Sequence, residues 1–298
     1  MDMIFGTINS FGKVFVGFAL PMLVQSSIVI GIFLLAERLL REKVRAVFRY
    51  WLGMLIFVQL ILPPLLISRV NLGYLSVAGD VSQSTASPVV TWQGIVFLVW
   101  LAVVVVMGVL LLKRMILAGR HIRQAKKANL LMNDLLVYCC KCMGVNSRKV
   151  RLRISSDGTS PAVCGLFRPV ILVPNNLAPS LGSRHLRAVL LHELAHIKRG
   201  DLWANWAQTI LQIIYFYNPL LWLANSTICR IREQAVDETV LAAMGQKIQR
   251  YPEMLADVAR LIFNRPALSL GLIGVVESQD TLVSRIKSNL YPLLRKSA

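Results

Sequence analysis

Acidic side chains are scarce in this 298-residue chain, with 15 Asp and Glu against 33 Lys and Arg, a net charge of +18, and charged residues of every kind make up only 16%. Against 55% apolar residues and a mean hydropathy of +0.58, that scarcity excludes an ordinary water-soluble domain and a disordered chain. A basic excess in so apolar a chain points to cytoplasmic loops facing an anionic membrane, so direct nucleic-acid binding is not expected. Cysteine is also sparse. Five copies, an odd number with Cys139, Cys140 and Cys142 crowded together, provide neither a disulfide framework nor two separated metal-binding pairs, and read as reduced thiols in a cytosolic loop. Internal repeats and low-complexity linkers are absent too.

Charge is missing altogether from three runs, Val14 to Ala36, Tyr50 to Ser68 and Trp92 to Leu112, each close to the roughly 20 residues that cross a bilayer. The first is too long for a signal-peptide core and has no cleavage signal behind it, so it is expected to be retained. Pro21, Pro63 and Pro64 read as kinks, tolerable where neighbouring helices satisfy the freed backbone groups. Arg38, Arg41, Lys43, Arg45 and Arg49 crowd the first connection, Asn71 to Thr91 has no Lys or Arg, and Lys113, Arg114, Arg120, Arg123, Lys126 and Lys127 follow the third run. Positive residues stay inside. The expectation is a multi-pass protein of the cytoplasmic membrane, N-terminus outside, with a membrane domain over 1–113 and a cytoplasmic domain over 114–298. That domain reads as a helix from about Lys113 to Cys142, strands near Lys149 to Ser155, Ala162 to Phe167 and Pro169 to Val173, and helices thereafter.

Histidine occurs four times, yet two copies stand in His192-Glu193-Leu194-Ala195-His196. Two histidines at i and i+4 project from one helix face and can grip a single Zn²⁺, while the intervening Glu193 reaches the water on the metal as general base. With four His and seven Glu, chance gives H-E-x-x-H in roughly one such sequence in a thousand. One zinc per chain is expected.

A catalytic zinc needs a third protein ligand. His185 lies seven residues before His192, too far along the helix, and His121 sits in the basic stretch after the third apolar run. The acidic segment Arg232-Glu233-Gln234-Ala235-Val236-Asp237-Glu238 is the better source. Glu233 would bind the metal and Asp237, at i+4, would accept a hydrogen bond from a ligand histidine's other nitrogen. Glu238 competes for the ligand role, rotated about 140° from Glu233. Asp201 is a second carboxylate beside the site and suits a helix N-cap after Gly200.

Leu202 to Cys229 carries no charge over 28 residues, and hydropathy alone would make it a fourth span. A crossing would strand Glu233 on the far side of the membrane from His192 and His196. Tyr217-Asn218-Pro219 offers a break, because the residue before proline leaves helical geometry and proline suits a helix's first turn. The expectation is a re-entrant or interfacial helical hairpin whose second arm returns Glu233 to the zinc helix. Separately, Val170, Ile171, Leu172 and Val173 form an apolar run bracketed by Pro169 and Pro174, expected to be an edge strand that binds substrate backbone as an added strand.

The segments His192 to Asp201, Asn218 to Leu223 and Arg232 to Asp237, with Ser160 to Pro174 ahead of them, resemble the BlaR/MecR family of membrane-embedded gluzincin metallopeptidases. The resemblance implies an integral membrane, mostly α protein with three transmembrane helices and a cytoplasmic α+β zinc-protease domain. It implies His192, His196 and Glu233 as zinc ligands, Glu193 as catalytic base, and a cytoplasmic protein as substrate, in signalling members a DNA-binding transcriptional repressor. Those members continue into an extracellular penicillin-binding domain. Here Ala298 ends the sequence, so a β-lactam sensor is not expected within it and a separate sensor partner is possible. Ser284 and Lys287 match S-x-x-K, with 11 residues after Lys287, too few for that acylation domain. The alternatives are a quality-control protease of the HtpX or CAAX-protease type, with two spans between its motifs, and a non-catalytic sensor or scaffold, which would have no need of Glu193.

Overall fold

The computed structural model describes residues 2–62, 89–156, 161–175 and 182–244. They fall into two compact units. One draws on Met1–Lys43, Trp51–Leu111 and Thr209–Ser226, the other on Val44–Tyr50, Leu112–Gln208 and Thr227–Ala298.

In the first unit, α1 (Asp2–Leu40) runs unbroken through Pro21, longer at both ends than the expected span. It is followed by α2 (Ala46–Ile61) and α3 (Trp92–Gln124), of which the first turn of α2, up to Tyr50, and α3 from Leu112 onward belong to the second unit. Among the described residues, α1 and α3 are long and apolar enough to cross a membrane, whereas α2 is shorter. Positions 63–68 of the expected second span lie outside the described residues. Small residues let α1 and α3 meet closely: a Cβ on Gly12 would come 2.5 Å from the Gln93 backbone. Asn9, buried in α1, pins the start of α3 by donating to the Val89 carbonyl (3.1 Å) and accepting from the Thr91 amide (2.8 Å) and hydroxyl (3.0 Å).

The uncharged run folds as two helices. α6 (Asp201–Ile214) and α7 (Pro219–Met244) are separated by a turn, and Asn218 caps α7 by accepting from the Leu220 amide at 3.0 Å, with Pro219 in the first helical position where its missing N–H is harmless. Within the first unit, each of the three preceding helices takes one hydrogen bond at this turn. The Trp100 indole donates to the Ile214 carbonyl (3.0 Å), the Tyr215 hydroxyl to the Leu60 carbonyl (3.1 Å) and the Asn218 amide to the Ser26 hydroxyl (2.8 Å). The Asn225 amide donates to Gln212 across the two arms at 2.6 Å. α6 is amphipathic in an inverted sense. Asp201, Asn205, Gln208 and Gln212 share one face and are buried or half-buried, while Trp203, Ile210 and Ile214 on the other are exposed. Apolar outside and polar inside is the arrangement of a helix facing lipid.

The second unit holds a four-stranded sheet in the order β1-β2-β4-β3, where β1 is Lys126–Lys127, β2 Arg151–Ser155, β3 Ala162–Cys164 and β4 Val170–Pro174. β2 and β4 are parallel; β1 and β3 run antiparallel to their neighbours. α4 (Leu130–Met143) and α5 (Ser183–Arg199) pack together, and their inner faces share a core with Leu152, Ile171 and Val173. Val170 and Leu172 join Ala125, Ile122 and Cys164 in a separate cluster. β4 therefore contributes alternate residues to two cores, which is why it reads as a continuous apolar run.

Three expectations need correction here. The helix expected from Lys113 to Cys142 is interrupted after Gln124: β1 pairs Lys126 and Lys127 with Ile154 and Arg153, and Asn129 caps α4 by accepting from the Met132 amide at 2.9 Å. The Arg153 guanidinium covers carbonyls at the end of α3, donating to Ile122 at 2.9 Å and Ala125 at 3.4 Å. Next, Val170, Ile171, Leu172 and Val173 are interior, with β2 on one side and β3 on the other. Val170, Ile171 and Leu172 are paired on both sides, so β4 is not the edge strand expected. The cysteines also lie differently from the loop expected: Cys139 and Cys140 are buried in α4, only Cys142 of that trio is exposed, and burial pushes the Cys139 thiol up to about 12.

Candidate metal centre

α5 places His192 and His196 one turn apart, their rings 5.0 Å between centroids and 85° between planes. The helix ends at Gly200, whose left-handed φ of 74° lets its amide reach the His196 and Ile197 carbonyls; a residue with a Cβ would be strained there. This corner returns Asp201 toward α5. Instead of capping α6, Asp201 is that helix's first residue, and its carboxylate lies 2.9 Å from His196 Nδ1 and 3.3 Å from Arg199 Nε. Its preference for the imidazole is physical, since a buried carboxylate needs charged or hydrogen-bonding partners.

α7 delivers the remaining groups. Glu233 Oε2 lies 3.5 Å from His192 Nε2 and 3.6 Å from His196 Nε2. Fully buried Asp237 has Oδ1 3.4 Å from His192 Nδ1. Each histidine thus turns Nδ1 to its own carboxylate and Nε2 to Glu233. Ligands 2.0–2.1 Å from a tetrahedral zinc stand about 3.3–3.4 Å apart, and the two measured separations are nearer that value than an ordinary hydrogen-bond length. The three ligand atoms lie within 4.8 Å of one another. The set could hold one zinc with a position left open, and Asp201 and Asp237 would fix the histidine tautomers.

Glu238 is engaged elsewhere. Its carboxylate accepts from the Ala46 amide at 2.9 Å and the Val47 amide at 3.5 Å, capping the first turn of α2, where backbone donors and the helix dipole favour negative charge. His121, in the last turn of α3, and His185, in the first turn of α5, are outside the cluster. Glu193 is largely buried. Its charge, after burial, helps push the Cys164 thiol up to about 11, which ties this carboxylate to β3, the sheet's edge strand packed against α5.

Arg232 was not anticipated. This buried guanidinium lies 3.6 Å from Glu233 Oε1 through Nε and donates to Asn205 on α6 at 3.4 Å through Nη1. It therefore sits beside the Glu233 oxygen that the histidines leave unused. An arginine next to the candidate ligand, at the end of a long charge-free run, was the available signal.

Residues 17–288 match the family described as BlaR1 peptidase M56. The chain belongs to the M56 peptidase family. Membership makes it a metallopeptidase-family protein, and two of its described helices are long and apolar enough to cross a membrane. Similar M56 relatives include the regulatory protein BlaR1 of Bacillus licheniformis, 30% identical over 164 residues, which cover 53% of this chain and 26% of the relative. The methicillin resistance mecR1 protein of Staphylococcus aureus strain Mu50 is 27% identical over 135 residues (44% and 23%). The regulatory protein BlaR1 of Staphylococcus aureus is 24% identical over 182 residues (59% and 30%). The matches thus span between about a quarter and a third of these relatives' lengths.

Burial lowers the proton affinity of His196, but the Glu233 charge and the hydrogen bonds its ring donates to Asp201 and Glu233 outweigh it and leave its pKa above the ordinary 6.5. Protons compete with metal for imidazole nitrogen, so a raised pKa moves that competition upward in pH. Zinc affinity is expected to start falling above pH 6.5 on acidification, as read by chelator competition across a pH series. Asp201→Asn should shift the onset downward while weakening affinity about 10- to 100-fold at neutral pH, the usual effect of removing such a partner. Identical pH profiles in the two proteins would contradict this electrostatic account.

Proposed function

We propose that this chain is a zinc-dependent endopeptidase of gluzincin type, with His192, His196 and Glu233 as ligands and Glu193 as general base. The observation that carries the reading is the spacing of Glu233 Oε2 at 3.5 and 3.6 Å from the two Nε2 atoms, with each Nδ1 turned to its own carboxylate. Zinc held by His192, His196 and Glu233 would supply a Lewis acid able to activate water and polarise a carbonyl. Glu193 would accept the water's proton as the water oxygen attacks the scissile carbonyl, and would deliver it to the leaving amine as the C–N bond breaks. Edge strand β3 offers an extended substrate its backbone, the role expected of Val170 to Val173 from the sequence.

The substrate we propose is a cytoplasmic protein, in signalling terms a transcriptional repressor, following the BlaR1 and MecR1 resemblance; a sensor partner would govern the cleavage. The hairpin between His196 and Glu233 differs from the two spans expected of an HtpX or CAAX-type protease. Proteomic comparison of cells carrying the wild-type chain with cells carrying Glu193→Gln should reveal new protein N-termini only in the wild type. Equal sets of N-termini would contradict endoproteolysis.

The proposed orientation has the N-terminus outside and the zinc site on the cytoplasmic side of a multi-pass membrane protein. Single cysteines at Lys198, Gln246 and Lys296 in a cysteine-free background should all resist a membrane-impermeant thiol reagent in intact cells and react after permeabilisation. Labelling of position 246 from outside with position 198 protected would contradict the orientation and the shared metal site together.

A further inference from the structure

Tyr50 opens the second charge-free run of the sequence, where an aromatic residue reads as ordinary packing. In the structure it is only 2% exposed. A phenol buried this deeply needs a hydrogen-bond partner, and the Asp201 carboxylate accepts from the Tyr50 hydroxyl. The ring is engaged as well. The Arg199 guanidinium carbon lies 4.8 Å from its centroid, a cation–π distance.

Asp201 has two other claimants. Its Oδ2 lies 2.9 Å from His196 Nδ1, while Arg199 Nε lies 3.3 Å from Oδ2 and 3.4 Å from Oδ1. A carboxylate free to turn would move toward a two-oxygen pair with the guanidinium, a strong geometry for these groups, and leave the imidazole nitrogen without its acceptor. The Tyr50 hydroxyl fixes the carboxylate, and the Tyr50 ring fixes the guanidinium. Tyr50 is itself held by side chains of α7. Glu238 caps the first turn of α2 through the Ala46 and Val47 amides, and buried Arg49 donates through Nη2 to Gln234 Oε1 at 3.0 Å. Gln234 directly follows Glu233. The turn that carries Tyr50 is thus bonded to the helix that carries the third candidate ligand, and all of these residues belong to the second unit.

We infer that Tyr50 is a positioning residue of the zinc site, acting through Asp201 to keep His196 turned with Nδ1 toward the carboxylate and Nε2 toward the metal. The inference rests on the zinc reading proposed above. Outer partners of this kind orient a ligand histidine and are felt in metal affinity, and a buried chain of hydrogen bonds transmits their loss more strongly than an exposed one.

Zinc affinity of the whole purified chain, read by chelator competition at neutral pH, tests the role in four proteins: wild type, Tyr50→Phe, Asp201→Asn and the double variant. Phenylalanine keeps the ring beside Arg199 and removes only the hydroxyl. Tyr50→Phe is expected to weaken zinc binding about three- to tenfold, less than Asp201→Asn because it acts one bond further from the metal, and to have no further effect in the Asp201→Asn background. Equal weakening in both backgrounds would overturn the inference, since a tyrosine that only supports the fold contributes additively. Zinc lost in His196→Ala but bound at full affinity in Tyr50→Phe would overturn the positioning role alone. A wild-type chain that binds no zinc would overturn the zinc reading and the role of Tyr50 together.

Discussion

Glu193→Gln is expected to reduce peptide-bond cleavage by about a hundred- to ten-thousandfold, the scale on which a positioned general base contributes, while leaving bound zinc unchanged. Glutamine keeps the length and shape of the side chain at this largely buried position but has no basic carboxylate to accept the water's proton. Cleavage rates and zinc content measured on the same purified preparations separate the two effects. Undiminished cleavage would eliminate Glu193 as the base, and loss of zinc along with activity would show that the side chain supports the metal site structurally.

Glu233→Ala should have the opposite signature, losing metal and activity together. Sharing a typical zinc-site binding energy of about 10–16 kcal/mol among its ligands assigns each roughly 3 kcal/mol or more, so zinc affinity should fall on the order of a hundredfold or beyond. Glu238→Ala is the informative companion. Its carboxylate caps α2 through the Ala46 and Val47 amides, so its removal should cost about 0.5–2 kcal/mol of stability and leave zinc affinity intact. Calorimetric zinc titration and thermal unfolding distinguish these results. A Glu233→Ala protein with full zinc affinity would return the ligand role to Glu238 or another group.

The metal cluster was legible in the sequence because helical spacing is rigid: four residues from His192 to His196, and four from Glu233 to Asp237, set neighbouring side chains on one face whatever the tertiary fold. The hairpin was legible for a similarly local reason, since Asn218 and Pro219 carry their own cap and break. What escaped depended on partners distant in sequence. After Gln124 the chain leaves the helix and Lys126 and Lys127 pair with β2, an exchange of local for long-range hydrogen bonds. The prolines around Val170 to Val173 suggested an edge, but β2 and β3 flank that strand, and four consecutive apolar residues signal a strand covered on both faces. Glu238 could be set aside only when the start of α2, 192 residues earlier, was seen against it.

Zinc K-edge X-ray absorption of the full-length, detergent-solubilised protein tests the proposed centre most directly. The account predicts one zinc per chain with two imidazole nitrogens and a carboxylate oxygen at about 2.0–2.2 Å, and loss of that signal in His196→Ala. A shell of sulfur scatterers at about 2.3 Å, or a zinc signal unchanged in His196→Ala, would contradict it.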